Sequence, residues 1–411
     1  LVVGDGAGGA DALFAAGEAN YSAWNETNGV NLWMTPQYGL PTGFAVDGTK
    51  VWSSDMGAYV DILDKATGTV TNTVGLPNWG LAPGIACPSA DAMFFETMAV
   101  GGTGSVVKFW KSNETLAWQY DFPNDGPGLD GDRPIWGGAL TPAADPYPVA
   151  GHPDGLVFAA GYGKTMLAGD WYVTVIDAID MATGVQVWRY TLNTGAAFQG
   201  TGGITTHTAP VVSHGRGLVW AADHSGNVTC LDELTGAWVW NTTLPTTVVE
   251  GKQRANSQLA LDDQLGLLFV HNDASNKLFC LNATTGAVLG QIVTGGTTLP
   301  GGPVISLKER LVYVQLAPPF GAAAGQEWVH CYAYDAAGAL SGPVWTYAIP
   351  GSVGVQQTAS GVENSPALAG GFLYVASVQR GDGTTLLTCL GQIVHDVAVT
   401  DITVNGGHSD I

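Results

Sequence analysis

The strongest constraint on what this chain can fold into is a unit of about 50 residues that recurs along it. Asn227-Val-Thr-Cys-Leu-Asp-Glu-Leu-Thr-Gly236-Ala-Trp-Val-Trp240 aligns with Lys277-Leu-Phe-Cys-Leu-Asn-Ala-Thr-Thr-Gly286-Ala-Val-Leu-Gly290. The pattern returns at Tyr59 to Gly68 and, with a short insertion, at Tyr172 to Trp188. Degenerate copies lie at Tyr21 to Trp33, Val106 to Trp118 and Trp328 to Gly338. Each copy reads as an alternating apolar strand, an Asp or Asn, a Thr-Gly turn and a second strand that often carries Trp. The turn needs a residue at positive φ, which Gly adopts without steric cost. Upstream of each copy lies another strand pair, as in Gly302-Pro-Val-Ile and Arg310-Leu-Val-Tyr-Val. Four short strands per unit predict propeller blades.

The turn anchors fall at Gly29, Gly68, Thr115, Gly184, Gly236, Gly286 and Gly338. They predict an all-β, seven-bladed β-propeller with four-stranded antiparallel blades. The expected layout is an N-terminal extension over 1–19, the propeller over 20–392 and a C-terminal extension strand over 393–411. The last blade, through Leu386 to Leu390, lacks its Gly-and-Trp strand, and the N-terminus has one, Gly29 to Trp33, without a blade before it. Joining the two is expected to close the last blade and remove two open edges.

The repeat resembles the PQQ-like (quinoprotein) repeat, A-x-D-x-x-T-G-x-x-x-W. That family includes quinoprotein dehydrogenases, an outer-membrane assembly scaffold and secreted repeat proteins, so the resemblance implies a fold and leaves function open. His395 to Val404 resembles the first strand of the CARDB-type Ig-like modules of archaeal surface proteins.

Composition narrows the function classes. The 14 Lys and Arg against 35 Asp and Glu give a net charge of -21, which repels nucleic acid and anionic lipid. No apolar run is long enough for a transmembrane helix. The dehydrogenases of the family imply adjacent cysteines and a cationic pocket for a tricarboxylate cofactor. Here the five cysteines (Cys87, Cys230, Cys280, Cys331, Cys389) are scattered, as are the six arginines. No nucleophile elbow or zinc-protease helix occurs. The expectation is therefore a protein that is not an enzyme and carries no catalytic or cofactor-binding residues. A quinoprotein-like oxidoreductase and an envelope assembly scaffold that binds partner proteins are the alternatives.

Two residue groups could bind metal. Asp125, Asp130 and Asp132, spaced by Gly in the longest interval between anchors, could wrap a structural Ca²⁺ with oxygen ligands; a solvated turn is the plainer reading. His207, His214, His224 and His271 lie near one pair of blades, though without ligand-like spacing.

Six N-x-S/T sequons, at Asn20, Asn25, Asn113, Asn227, Asn241 and Asn282, exceed what composition gives. With few potential disulfides they point to a secreted, glycosylated cell-surface protein, as in a glycosylating archaeon, or to a bacterial envelope protein. Both ends carry apolar segments outside the expected blades. Residues 1–19 or 395–404 are therefore expected to cross into a neighbouring molecule and build a filament or lattice; other surface proteins are the alternative partners.

Overall fold

A computed structural model describes residues 2–5, 11–16, 20–25, 30–36, 41–55, 59–76, 80–81, 85–86, 88, 91–99, 104–123, 136–137, 142–165, 171–192, 209–223, 226–249, 252–254, 256–298, 301–319, 322–323, 325–352, 366–369, 372–378, 385–391 and 402–405. They form eight blades. Blade 1 holds β1 (Val2–Asp5), β2 (Asp11–Ala16), β3 (Asn20–Asn25) and β4 (Asn31–Pro36). Blade 2 holds β5 (Pro41–Asp47), β6 (Lys50–Asp55), β7 (Tyr59–Asp64) and β8 (Val70–Gly75). In blade 3, β9 (Gly80–Leu81) and β10 (Ile85–Ala86) both pair with β11 (Ala92–Ala99), followed by β12 (Ser105–Trp110) and β13 (Thr115–Asp121). In blade 4, β14 (Trp136–Gly137) and β15 (Ala143–Asp145) both pair with β16 (Leu156–Thr165), followed by β17 (Trp171–Asp180) and β18 (Gln186–Leu192).

Blade 5 runs β19 (Val211–Ser213), β20 (Leu218–Ala222), β21 (Asn227–Asp232) and β22 (Trp238–Thr243). A hairpin of β23 (Thr247–Val249) and β24 (Lys252–Arg254) follows. Blade 6 runs β25 (Asn256–Asp262), β26 (Leu267–Asn272), β27 (Lys277–Asn282) and β28 (Val288–Val293). Blade 7 runs β29 (Val304–Ser306), β30 (Leu311–Leu316), β31 (Trp328–Tyr334) and β32 (Leu340–Ala348). Blade 8 runs β33 (Ala367–Ala369), β34 (Phe372–Val378), β35 (Thr385–Leu390) and β36 (Ile402–Asn405). The chain divides into two compact units, Leu1–Gly200 with Ala209–Ala221 and Cys230–Val239, and Thr201–Thr208 with Ala222–Thr229 and Trp240–Ile411.

The propeller is thus eight-bladed, and the expected count of seven is corrected. The N-terminal strand does not close the last blade. Trp33 lies on β4 and pairs with Ala23 of its own blade. Blade 8 is completed instead by β36, with Leu387 opposite Val404 and Cys389 opposite Ile402. Residues expected as an N-terminal extension form β1 and β2, with Val2 opposite Phe14 and Leu13 opposite Trp24. Terminal strands that already have partners lose the reason for which they were expected to cross into a neighbour.

Burial explains the strand sequences. The second and third strands lie between neighbouring blades and are apolar on both faces; all six residues of β26 are buried. The core is a series of interblade layers. One layer joins Val60 and Ile62 of blade 2 to Phe95 and Val107 of blade 3. Another joins Phe269 and Cys280 of blade 6 to Val312 and Tyr332 of blade 7. Fourth strands are mostly exposed, as in β4 and β22, where one buried Trp interrupts an exposed run.

That Trp and the Thr-Gly turn form one device. Asp64 Oδ1 accepts the Ala66 and Thr67 amides and the Thr67 hydroxyl. Asp180 and Asp232 hold Thr183 and Thr235 in the same way. The Gly that follows sits at φ +67° to +74° in Gly68, Gly184, Gly236 and Gly286. Its missing side chain admits the Trp of the preceding blade. A Cβ would lie 2.4 Å from Trp33 at Gly68, 2.7 Å from Trp118 at Gly184, and 2.5 Å from Trp188 and Trp240 at Gly236 and Gly286. Each indole Nε1 also donates to the carbonyl three residues before the Gly: Lys65, Met181, Glu233 and Ala283, at 2.9–3.1 Å.

Two joints use other chemistry. Between blades 2 and 3, Asn72 stands at the Trp position and Glu114, at φ +56°, at the Gly position. Asn72 Nδ2 donates to Glu114 Oε2 (2.6 Å), and Lys50 pairs with Oε1. Between blades 6 and 7, Gly290 occupies the Trp position and lets the backbones touch; a Cβ there would lie 2.4 Å from the Gly338 carbonyl.

Cys230, Cys280, Cys331 and Cys389 are buried free thiols on third strands. Burial pushes the first three up to about 12, which makes them unreactive packing residues.

Candidate functional site

Asp125, Asp130 and Asp132 lie outside the described residues, as do His207 and His224. The six sequon asparagines are described, and they differ. Asn113 is exposed in the third-blade turn, where its Oδ1 accepts the Thr115 amide and hydroxyl. Asn282 sits in the equivalent sixth-blade turn, its Oδ1 accepting the Thr284 and Thr285 amides. Asn227 and Asn241 instead face each other across β21 and β22. Asn241 Nδ2 donates to Asn227 Oδ1, Asn227 Nδ2 donates to Asp223, and Thr229 donates to Asn241. Asn20 and Asn25 are half-buried at the two ends of β3.

His214 belongs to a cluster that the sequence reading did not assemble. Asp145 ends β15, His214 opens the 3-10 turn His214–Arg216 after β19, and Glu233 follows β21. Their ligand-type atoms lie within 4.8 Å of one another. His214 Nδ1 is 3.1 Å from Asp145 Oδ2, and Tyr147 stacks on the imidazole at 5.0 Å. Asp145 and Glu233 are each 2% exposed and His214 is 40% exposed at its side chain. Burial first, then the neighbouring Asp145, pushes Glu233 up to about 8. Bonds to backbone groups or from an indole hold two of them. The Glu233 amide donates to the Gly217 carbonyl, its carbonyl accepts the Trp188 indole, and Asp145 Oδ1 accepts the Tyr147 amide.

His271 is buried in the other unit with partners of its own. Its Nδ1 is 2.7 Å from Asp273 Oδ1 and its Nε2 2.7 Å from Thr294 Oγ1. Hydroxyl, imidazole and carboxylate stand in the order of a nucleophile, base and orienting acid. The surroundings give them a structural role instead. The Thr294 hydroxyl is also 2.9 Å from the Asn276 carbonyl, which competes for its one proton. Asp273 also accepts the Thr298 amide and hydroxyl, so the network ties the loop after β28 to the turn after β26. The local signal was His271-Asn-Asp273, an i, i+2 spacing.

Thr294 borders a cavity of about 440 Å³, lined also by Leu316, Pro318, Gln326, Trp328 and His330. Beside it in sequence, Glu327 is pushed up to about 7 by burial, partly offset by the hydrogen bond from Gln315 Nε2 at 3.2 Å. The folded state therefore binds this proton more tightly than the unfolded chain. Its contribution to stability is full below the ordinary glutamate value and is lost as pH rises to about 7. A shift of that size corresponds to roughly 3 kcal/mol. Glu327→Gln is expected to remove this pH dependence and to be about 2–3 kcal/mol more stable than wild type at pH 8. Denaturant unfolding at pH 4.5, 6 and 8 checks this; an unchanged slope in the variant would assign the pH dependence elsewhere.

Arg189 is engaged by the fully buried carboxylate of Asp177. Its Nε and Nη2 donate to the two carboxylate oxygens of Asp177 at 2.7 Å each, and its Nη1 donates to the Pro123 carbonyl. The Tyr120 hydroxyl adds a 2.7 Å bond to Asp177. Burial and the Asp177 charge push that phenol far up, so it stays a donor. A guanidinium satisfied in this way does not fit a tricarboxylate cofactor.

Comparison with known proteins places the chain. The family model described as outer membrane protein assembly factor BamB matches residues 47–389. Among solved structures, BamB from Moraxella catarrhalis shares 17% identity at a TM-score of 0.56, over 96% of this chain and 95% of that one. A europium-containing methanol dehydrogenase shares 12% at 0.61, over 94% and 81%. The quinohemoprotein alcohol dehydrogenase ADHIIG from Pseudomonas putida HK5 shares 13% at 0.59, over 93% and 68%. At these identities the likeness is one of fold. No curated protein matches the chain.

Proposed function

Because the chain belongs to the PQQ-like repeat family described as outer membrane protein assembly factor BamB, we propose that it is a scaffold that binds other proteins outside the cytoplasm, and not an enzyme. The carrying observation is the chemistry of the fourth strands. Leu32 and Met34 of β4 are 47% and 45% exposed, and Val288 and Val293 of β28 are 47% and 65% exposed. Val344 of β32 is 56% exposed. Outer strands usually carry lysines or other charges that keep edges from pairing. This chain places aliphatic side chains there, which suits contact with another protein.

Two further observations support the reading. Arg189 is committed to Asp177. The exposed turn at Asn113 suits glycan attachment, whereas the Asn227 and Asn241 amide nitrogens are already engaged. Among the described residues, no helix is long and apolar enough to cross a membrane.

The test places a photo-crosslinking residue at Val288 or Val344, with the exposed turn residue Ser112 as control, in cells of the source organism. A discrete adduct from the outer strands and none from the control is expected, and its mass separates a different partner from a second copy of the chain. Intact mass of the same material is expected to show carbohydrate that is lost in Asn113→Gln. No adduct at either strand, together with dye-linked alcohol oxidation by the quinone-loaded protein, would replace the scaffold with the dehydrogenase reading.

A further inference from the structure

Asp145 and Glu233 are each 2% exposed and stand against the His214 imidazole. Glu233 Oε1 is buried without a hydrogen-bond partner. A buried carboxylate oxygen with no donor is costly, and proteins resolve it with a donor or a cation. We propose that Asp145, His214 and Glu233 bind a divalent transition-metal ion, Zn²⁺ in the first instance, that clamps blade 4 to blade 5.

The donor set selects the ion. One imidazole nitrogen with two carboxylates suits Zn²⁺ or Mn²⁺, whereas Ca²⁺ prefers oxygen ligands alone. Bonds of about 2.0–2.2 Å to a tetrahedral zinc put ligand atoms roughly 3.4 Å apart. His214 Nδ1 and Asp145 Oδ2 already stand at 3.1 Å, and a bound ion would draw together the remaining atoms of the set, all within 4.8 Å. The scaffold is preorganised by bonds that do not use the ligand atoms, through the Glu233 backbone and Asp145 Oδ1. The half-exposed His214 gives the ion a route in and leaves a coordination position for water. Asp145 comes from blade 4 and the other two ligands from blade 5, so the ion would reinforce the joint that Trp188 already makes with Glu233.

The experiment uses the full chain, stripped with a chelator and titrated calorimetrically with Zn²⁺ alone, then with Co²⁺ as a spectroscopic substitute. One equivalent is expected to bind. His214→Ala and Glu233→Gln are expected to weaken binding at least about tenfold and to abolish the Co²⁺ visible bands. Saturating Zn²⁺ is expected to raise the melting temperature of wild type by about 2 °C or more and to leave His214→Ala unmoved. His214 is half-exposed, so its variant keeps the fold, which circular dichroism verifies, and the Glu233→Gln result is read only beside it. Absence of binding would overturn the site. So would binding unchanged in His214→Ala, which would put the ion elsewhere, for instance at Asp125, Asp130 and Asp132.

Discussion

Trp188→Ala is expected to cost about 3–5 kcal/mol, the range for removing a large aromatic side chain from a packed site. Trp188 is 8% exposed, lies over Gly236 and donates to the Glu233 carbonyl at 2.9 Å. Gly236→Ala attacks the same joint from the other side. Its backbone, at φ +67°, costs an alanine about 1–2 kcal/mol. The new Cβ would also lie 2.5 Å from the Trp188 ring, which adds an overpacking cost of about 1–3 kcal/mol. Gly217 separates the two terms. It has nearly the same conformation, φ +63°, but nothing within 4 Å of a Cβ. Gly217→Ala should show the backbone cost alone. In a Trp188→Ala background, Gly236→Ala should fall to the Gly217→Ala value, because the clash is gone. Denaturant unfolding of the four variants decides it. Equal costs for Gly236→Ala and Gly217→Ala in wild-type background would mean that the indole gives way freely and the joint is not held by this contact.

The same device shows why some of the fold was legible and some was not. Asp, Thr, Gly and Trp recur because a local turn and a contact with the adjacent blade need them, so the repeat announces blades. A count that rests on the turn counts turns. Seven anchors mark blades 1 to 7, and blade 8 passes from Leu390 to Ile402 without a Thr-Gly pair. Blade 1 begins with short strands in a Gly- and Ala-rich stretch, Val2–Asp5 and Asp11–Ala16, whose pairing only the register reveals. Joining the first and last fragments into one blade then turned eight into seven. At the Asn72–Glu114 joint the signature is exchanged as a pair, which sequence read as a degenerate copy. The cluster of Asp145, His214 and Glu233 was illegible for another reason. Its members belong to two blades, and no spacing along the chain reports that a strand end in one blade faces a turn in the next. His214 was noticed as a histidine and its carboxylates were not.

Asp177→Asn is expected to destabilise the protein by about 3–5 kcal/mol, because it neutralises the carboxylate that takes two parallel bonds from the buried Arg189 guanidinium. Asp177 is fully buried and Arg189 is 9% exposed at its side chain, so water cannot take over the lost interaction. Arg189→Met should cost a similar amount by taking the guanidinium from a fully buried carboxylate, which keeps the Tyr120 hydroxyl. The double variant should cost less than the sum of the two by about 2 kcal/mol or more, since neither charge is left stranded. Moderate salt should change these values little, as a pair almost withdrawn from solvent is weakly screened. The experiment also tests the cofactor question. An arginine kept for an anionic ligand is expected to be repelled by nothing and held by little before the ligand arrives, so its replacement would cost little stability and abolish a ligand-induced rise in melting temperature. Arg189 has the opposite arrangement, two parallel bonds to one carboxylate and a third to the Pro123 carbonyl. Pyrroloquinoline quinone added to wild type should therefore leave its melting temperature unchanged. A rise that disappears in Arg189→Met, with near-additive single variants, would return this arginine to a binding site and reopen the dehydrogenase reading.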